Sequence, residues 1–308
     1  KKAKHHITIE DIPYTSIEFA KNNPVSLESG TSHKMQLVTG PANATDHRIK
    51  WTSSNKTAAT VDENGTVTAL RPIETVTITA VYKTNPALTC SWNLKITRTK
   101  GYITKQMLDN LDLTAIKKVM ITAHPDDETL WGGGHLIEGE YLVVCMTHGW
   151  NPKRRTAFEQ TMRTTNDKYL ILDYPDVRKT FSNGKYETDM LSTCKNAMQE
   201  DINLILSYKK WDLIATHNPF GEYGKYLHKT ISQMVTQCYN KMTNKSATLY
   251  YFGRYYNSSN KIPGEQIAPE LLAIKNSMVD RYYPTAKGAI VAFGHMIPYE
   301  NWLLPSEW

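Results

Sequence analysis

The stretch Val119-Met120-Ile121-Thr122-Ala123-His124-Pro125-Asp126-Asp127-Glu128-Thr129-Leu130 decides how this chain is read. Its opening residues are apolar or β-branched, as a strand buried on both faces requires. An imidazole and three carboxylates then crowd into the positions where the strand gives way to a helix. Open α/β sheets place ligands beyond the carboxyl ends of their strands, so this is the address of an active site. His124 and Asp127, roughly one helical turn apart, can bring a ring nitrogen and a carboxylate oxygen to one divalent ion. Asp126 is thereby turned to another face, beside the ion but not bound to it, where a hydrolase needs a general base. The same residues also suit a plain helix start, because Pro lacks only an unneeded N–H and acids favour the first turn.

Working outward, strand-like runs at 119–123, 141–147, 169–172, 212–216 and 248–252 alternate with segments of helical length at 127–137, 153–168, 190–208 and 226–242. This alternation predicts an α/β domain over 117–308, a Rossmann-like, mostly parallel sheet flanked by helices. Gly132-Gly133-Gly134 falls inside the first helix rather than in a GxGxxG turn after the strand, which argues against a dinucleotide site. The fourth strand runs into Thr216-His217-Asn218-Pro219-Phe220-Gly221-Glu222-Tyr223-Gly224-Lys225-Tyr226-Leu227-His228-Lys229, which should converge with His124 across the sheet edge. His228, at a helix start, can complete a His, Asp, His set that leaves positions open, as a catalytic zinc requires.

Upstream the pattern changes. Short alternating segments at 7–9, 34–38, 48–51, 66–70, 75–81 and 92–96 predict an all-β sandwich over 1–100, joined to the α/β domain by a linker at 101–116. Glu63-Asn64-Gly65 supplies a position tolerant of positive φ, so 59–70 reads as a hairpin.

The chain has 308 residues and a net charge of +6, unevenly placed. Residues 1–100 hold 13 Lys and Arg against 8 Asp and Glu, and the remainder holds 23 against 22. A basic N-terminal part suits weak attraction to anionic polymer, and equally a plain solvated surface. Basic runs interleaved with aromatics are missing, which argues against nucleic acid. No apolar run nears the roughly eighteen residues of a membrane span, and no signal peptide is seen, so any targeting or anchor segment is expected to be cleaved or to lie outside this sequence. Cys90, Cys145, Cys194 and Cys238 lack metal or redox spacing; Cys194 and Cys238, both in helix-like segments, could pair in an oxidising compartment.

Two resemblances sharpen this reading. Trp51-Thr52-Ser53-Ser54-Asn55, Ala59-Thr60-Val61-Asp62, Asn64-Gly65-Thr66-Val67-Thr68-Ala69-Leu70 and Val76-Thr77-Ile78-Thr79-Ala80 resemble the bacterial immunoglobulin-like group 2 domain. That resemblance implies a secreted or cell-surface bacterial setting and a spacer or weak glycan-binding role. Residues from about 117 to 303 resemble the LmbE and PIG-L family of zinc-dependent de-N-acetylases, whose AHPDDE motif stands intact at Ala123 to Glu128.

The second resemblance implies metal ligation by His124, Asp127 and His228, with Zn2+ or another divalent ion, and Asp126 as general base. It also implies that Tyr223 stabilises the acyl oxygen. The family's Gly-x-Tyr-Gly-His-Pro-Asp-His run here has Lys225 in place of its first His and Tyr226-Leu227 in place of Pro-Asp. Lys225 itself, or His295 from the aromatic-rich stretch at 293–302, is the expected substitute; His295 suits a packed tail equally. Arg155, Asp176, His217 and Glu222 are the expected substrate contacts, while an exposed helical Arg and plain loop residues are their ordinary alternatives. The expected function is extracellular, metal-dependent N-deacetylation of an N-acetylated, GlcNAc-type sugar in a surface or extracellular glycan. The alternative is a glycan-binding surface protein on a weakened deacetylase scaffold.

Overall fold

A computed structural model describes residues 11–176, 188–243 and 246–308; the strand expected at 7–9 lies outside them. The chain divides between Arg98 and Thr99 into two units.

The first unit is all β: β1 (Ser16–Phe19), β2 (Ser26–Glu28), β3 (Ser32–Lys34), β4 (Leu37–Gly40), β5 (Ile49–Ser53), β6 (Ala59–Val61), β7 (Thr66–Ala69), β8 (Ile73–Tyr82) and β9 (Thr89–Thr97). They form sheets ordered β2-β9-β8-β5 and β3-β7-β6, with β1 paired to β4. Alternation along β8 buries Val76, Ile78, Ala80 and Tyr82, and Val67, Leu94 and Ile96 are buried with them. The hairpin expected at 59–70 is β6–β7. Asp62 Oδ1 accepts the N–H groups of Asn64 (2.9 Å) and Thr66 (2.8 Å) in its turn. Gly65 has φ +79°, and a Cβ there would stand 2.5 Å from the Trp51 ring, so only glycine fits without strain.

The single strand expected at 34–38 is two strands, β3 and β4, in different sheets. The break falls at Met35-Gln36, where the Asn23 side chain bonds both backbone groups of Gln36, each at 2.8 Å. β1 and β2 are too short to carry a readable period.

The second unit contains α1 (Lys105–Asp109), β10 (Lys118–Thr122), α2 (Asp127–Ile137), β11 (Tyr141–Thr147), α3 (Pro152–Thr165), β12 (Lys168–Tyr174), α4 (Lys195–Tyr208), β13 (Leu213–Thr216), α5 (Gly221–Gly224), α6 (Tyr226–Lys241), β14 (Thr248–Tyr251) and α7 (Pro269–Phe293). Its five strands are parallel in the order β12-β11-β10-β13-β14. Strand order therefore reverses between β10 and β13, and the crevice beyond their carboxyl ends is the switch point of the sheet. Two apolar clusters enclose the strands. One holds Val119, Ile121, Ile202, Trp211 and Ile231; the other holds Met120, Val143, Phe158, Tyr282 and Phe293.

The stretch 101–116, expected as a linker, belongs to this unit. Ile103, Leu108, Leu113 and Ile116 are buried in the first cluster, and Asp201 of α4 accepts the N–H groups of Tyr102 (2.9 Å) and Ile103 (2.8 Å). The long helix α7 carries Pro284 within it and bends at Ala286. Cys194 and Cys238 are both free thiols.

Candidate metal centre

The carboxyl end of β10 delivers His124, and α2 begins three residues later with Asp127. The end of β13 leads through α5, with Gly221 at φ +64° and Gly224 at φ +97°, into α6, which carries His228. His124 Nδ1 lies 3.0 Å from His228 Nε2 and 3.2 Å from Asp127 Oδ2, and His228 Nε2 lies 3.4 Å from the same oxygen. All three residues are buried.

Hydrogen bonds on the far side of each ring fix what these nitrogens are. His124 Nε2 faces Asp176 Oδ1 at 2.9 Å, and His228 Nδ1 faces Glu222 Oε2 at 2.5 Å. A carboxylate only accepts, so both outer nitrogens donate, and in the neutral rings both inner nitrogens present lone pairs to one another. Two lone pairs at 3.0 Å need a cation or a proton between them. An ion bonded at about 2.0–2.1 Å holds tetrahedral ligands about 3.3 Å from one another, the spacing of this trio. The donor set therefore fits a divalent metal. Two other groupings, His124 with His148 and Asp176, and His217 with Glu222 and His228, also bring ligand atoms together. Both use ring nitrogens already donating to carboxylates, so they support the trio rather than compete with it.

The electrostatics agree. Burial works against charge on His124, but Asp176 and Asp127 raise its pKa to about 9, so a proton occupies the ring when nothing else does. Burial pulls His228 down to about 4 and keeps it a neutral ligand. Asp127, despite burial, is held well below the usual carboxylate range, because it stands among the rings of His228, His217 and His124 and accepts from His124. Asp126 is different: burial, and then the charge of Asp127, push it up to about 7, against the pull of Arg154 and His124.

A cavity of about 90 Å3 adjoins the trio. His124, Asp126, Asp127 and Asp176 line it. Arg154, Lys225 and His148 supply its other polar groups, and Trp131, Leu130, Tyr223, Ala289 and Phe293 its apolar wall. Tyr223 packs edge-on against His228, its ring 4.5 Å from that of Phe293, and is 42% exposed.

Four expected residues stand elsewhere. His217 and Glu222 do not line the cavity, because both side chains are fully buried behind the trio. His217 Nε2 accepts the Ala123 N–H at 2.9 Å, its Nδ1 donates to Glu222 at 3.1 Å, and its ring stacks on His228 at 3.9 Å. Through these contacts they brace His228 from behind instead of facing the cavity. Arg155 turns away to the Gly149 carbonyl at 2.6 Å; its neighbour Arg154 occupies the cavity, 3.7 Å from Asp126 Oδ1. His295 Nε2 donates to the Tyr256 carbonyl at 2.8 Å, and the ring is not among the cavity residues. Sequence does not separate Arg154 from Arg155, since the phase of a helix is set by packing. Phe293 and Ala289 of the cavity wall belong to α7, a helix absent from the strand-and-helix alternation expected above.

Fold and site thus define an Ig-like β unit followed by a parallel α/β unit with a candidate metal centre at its switch point. Residues 13–91 match the model of the bacterial Ig-like domain (group 2). The chain is 31% identical over 175 residues to the uncharacterized protein L374 of Acanthamoeba polyphaga mimivirus, a match covering 51% of this chain and 67% of that protein. It belongs to the same family as that viral protein. It is also 32% identical over 117 residues to the uncharacterized protein CA_P0160 of Clostridium acetobutylicum, covering 38% of this chain but only 12% of that one. Among solved structures it is similar to the conserved protein TT1542 from Thermus thermophilus, with 12% identity, a TM-score of 0.42, and coverage of 62% of this chain and 94% of that one. Among the described residues no helix is long and apolar enough to cross a membrane.

Proposed function

We propose that the second unit is a zinc-dependent N-deacetylase that hydrolyses the acetamide of an N-acetylated sugar in an extracellular glycan. The observation that carries this reading is the placement of Asp126: a buried carboxyl that lines the cavity beside the candidate metal-binding trio without being one of its donors. A structural carboxylate has no use for that placement, whereas a group that must take and return a proton near neutrality does.

Two imidazoles and one carboxylate suit zinc, and His124, Asp127 and His228 would hold it. When bound, the ion supplies Lewis-acid polarisation and lowers the pKa of water. The chain's own residues supply the rest. Asp126 takes the proton from the attacking water and returns it to the departing amine. The Tyr223 hydroxyl donates to the negative charge that develops on the acyl oxygen. Arg154, tied by Nη1 to the Pro125 carbonyl at 3.3 Å and by Nη2 to the Thr285 carbonyl at 3.1 Å, holds a fixed positive charge beside the base. The cavity volume of about 90 Å3 suits an acetyl group, and the open mouth with Tyr223 and Lys225 leaves the sugar outside. The Ig-like unit supports a surface setting, and its basic excess suits anionic cell-wall polymer.

The test is acetate release from N-acetylated oligosaccharides by the zinc-loaded protein and by Asp126→Asn. Removing a general base costs about 10²- to 10⁴-fold in rate, so the variant should lose turnover at that level while keeping its metal. Turnover unchanged in Asp126→Asn would overturn the assignment. Glycan binding without acetate release would favour a surface glycan-binding protein.

A further inference from the structure

Asp126 has an unusual backbone: φ is +147° and ψ −29°, a region that residues with a Cβ avoid. Something must hold it there, and the contacts trace to α7. The Asp126 N–H donates to Glu128 Oε2 at 3.1 Å. Glu128 Oε1 in turn accepts the Tyr282 hydroxyl of α7 at 2.6 Å and the Thr129 hydroxyl at 2.7 Å. Glu128 and Tyr282 are both fully buried, so this bond is shielded from competing water.

A second line reaches the same place. Arg154, beside the Asp126 carboxylate, is anchored on the carbonyl of Thr285, three residues after Tyr282 and just before the bend of α7 at Ala286. Thr285 Oγ1 donates to the Tyr282 carbonyl at 3.3 Å, joining the two anchors within one turn. The turn of α7 that precedes its bend therefore grips Asp126 from both ends, by its backbone N–H and by its side-chain carboxylate.

We propose that Tyr282 is a positioning residue: through Glu128 its hydroxyl holds the backbone of Asp126 in the conformation that aims the carboxylate into the cavity. The link to turnover rests on the deacetylase reading; the link to backbone order does not. Tyr282→Phe removes the hydroxyl and keeps the ring. Amide hydrogen exchange on the full chain reads the first link directly. Exchange at Asp126 should quicken about ten-fold, the worth of one buried hydrogen bond, with protection along β10 unchanged. In the zinc-loaded protein kcat for acetate release should fall about 10- to 100-fold from misplacement of the base, with KM within about two-fold and metal content preserved. Unchanged exchange at Asp126 would overturn the proposal. So would protection lost equally in β10, since the hydroxyl would then hold the fold and not the base. A wild-type chain that releases no acetate would end the deacetylase reading, while the exchange result would still decide the positioning role.

Discussion

Two buried charge clusters sit at the two ends of α2, made from the same ingredients and finished differently. At its C-terminal half, Lys275 and Glu300 form an ion pair at 2.6 Å with almost no exposure. Glu300 also accepts the N–H groups of Gly134 (2.6 Å) and His135 (3.0 Å), so both charges are answered within the chain. At its N-terminal end, the inner ring nitrogens of His124 and His228 and an oxygen of Asp127 converge beside a cavity. The first cluster carries its own cation; the second has a donor set that could hold one from outside. Buried charge alone does not mark a site, and a set of converging acceptors facing a cavity does.

The contrast can be broken from either side. The largest expected effect is on the closed cluster. Lys275→Met leaves Glu300 buried without its partner, which should cost about 3–5 kcal/mol in chemical unfolding, with the metal affinity of the folded protein unchanged. A stability loss below about 1 kcal/mol, the value of an exposed pair, would remove the distinction.

The open cluster should instead show itself through pH. Because His124 is raised to about 9 without metal, it is protonated at pH 7 and must release that proton to bind an ion. Zinc affinity should rise about ten-fold per pH unit between pH 7 and 8, as one displaced proton requires, measured by competition with a chelator of known pH dependence. The sign for stability is the reverse. In the metal-free protein the raised pKa contributes stability that is fully present below 6.5 and lost as pH rises through about 9. An affinity flat in pH would mean that no proton is displaced. The smallest effect is expected at His295, bonded to a carbonyl outside the cavity: His295→Ala should keep wild-type turnover and metal content.

Much of this is legible in the sequence because it is written in periods and in local order. β10 and α2 follow from a buried run ending in Pro-Asp-Asp-Glu, and the spacing of His124 and Asp127 is local. The convergence of His228 follows from parallel-sheet topology, which sends every strand end to one edge. What escapes is set by packing across the fold. Helix α7 contains Pro284 and the pair Tyr282-Tyr283, which blur its apolar stripe and hide its wall residues Ala289 and Phe293. Gly132-Gly133-Gly134 is legible as no nucleotide loop, but its purpose needs three dimensions: a Cβ would stand 2.7 Å from Met120 at Gly132, 2.9 Å from Lys275 at Gly133 and 3.1 Å from Glu300 at Gly134. The second and third glycines make room for the closed cluster. Glu222 and His217 read as pocket residues from their motif, yet their burial behind His228 depends on the left-handed turns at Gly221 and at Glu222, with φ +54°.

The most direct measurement is acetate release from an N-acetylated oligosaccharide by the zinc-loaded chain, followed through chelation and metal replacement. The deacetylase reading predicts one acetate for each amine freed, loss of turnover when the metal is removed, and its return with zinc. A fully metal-loaded, folded chain that releases no acetate, or one whose turnover survives complete chelation, would contradict it.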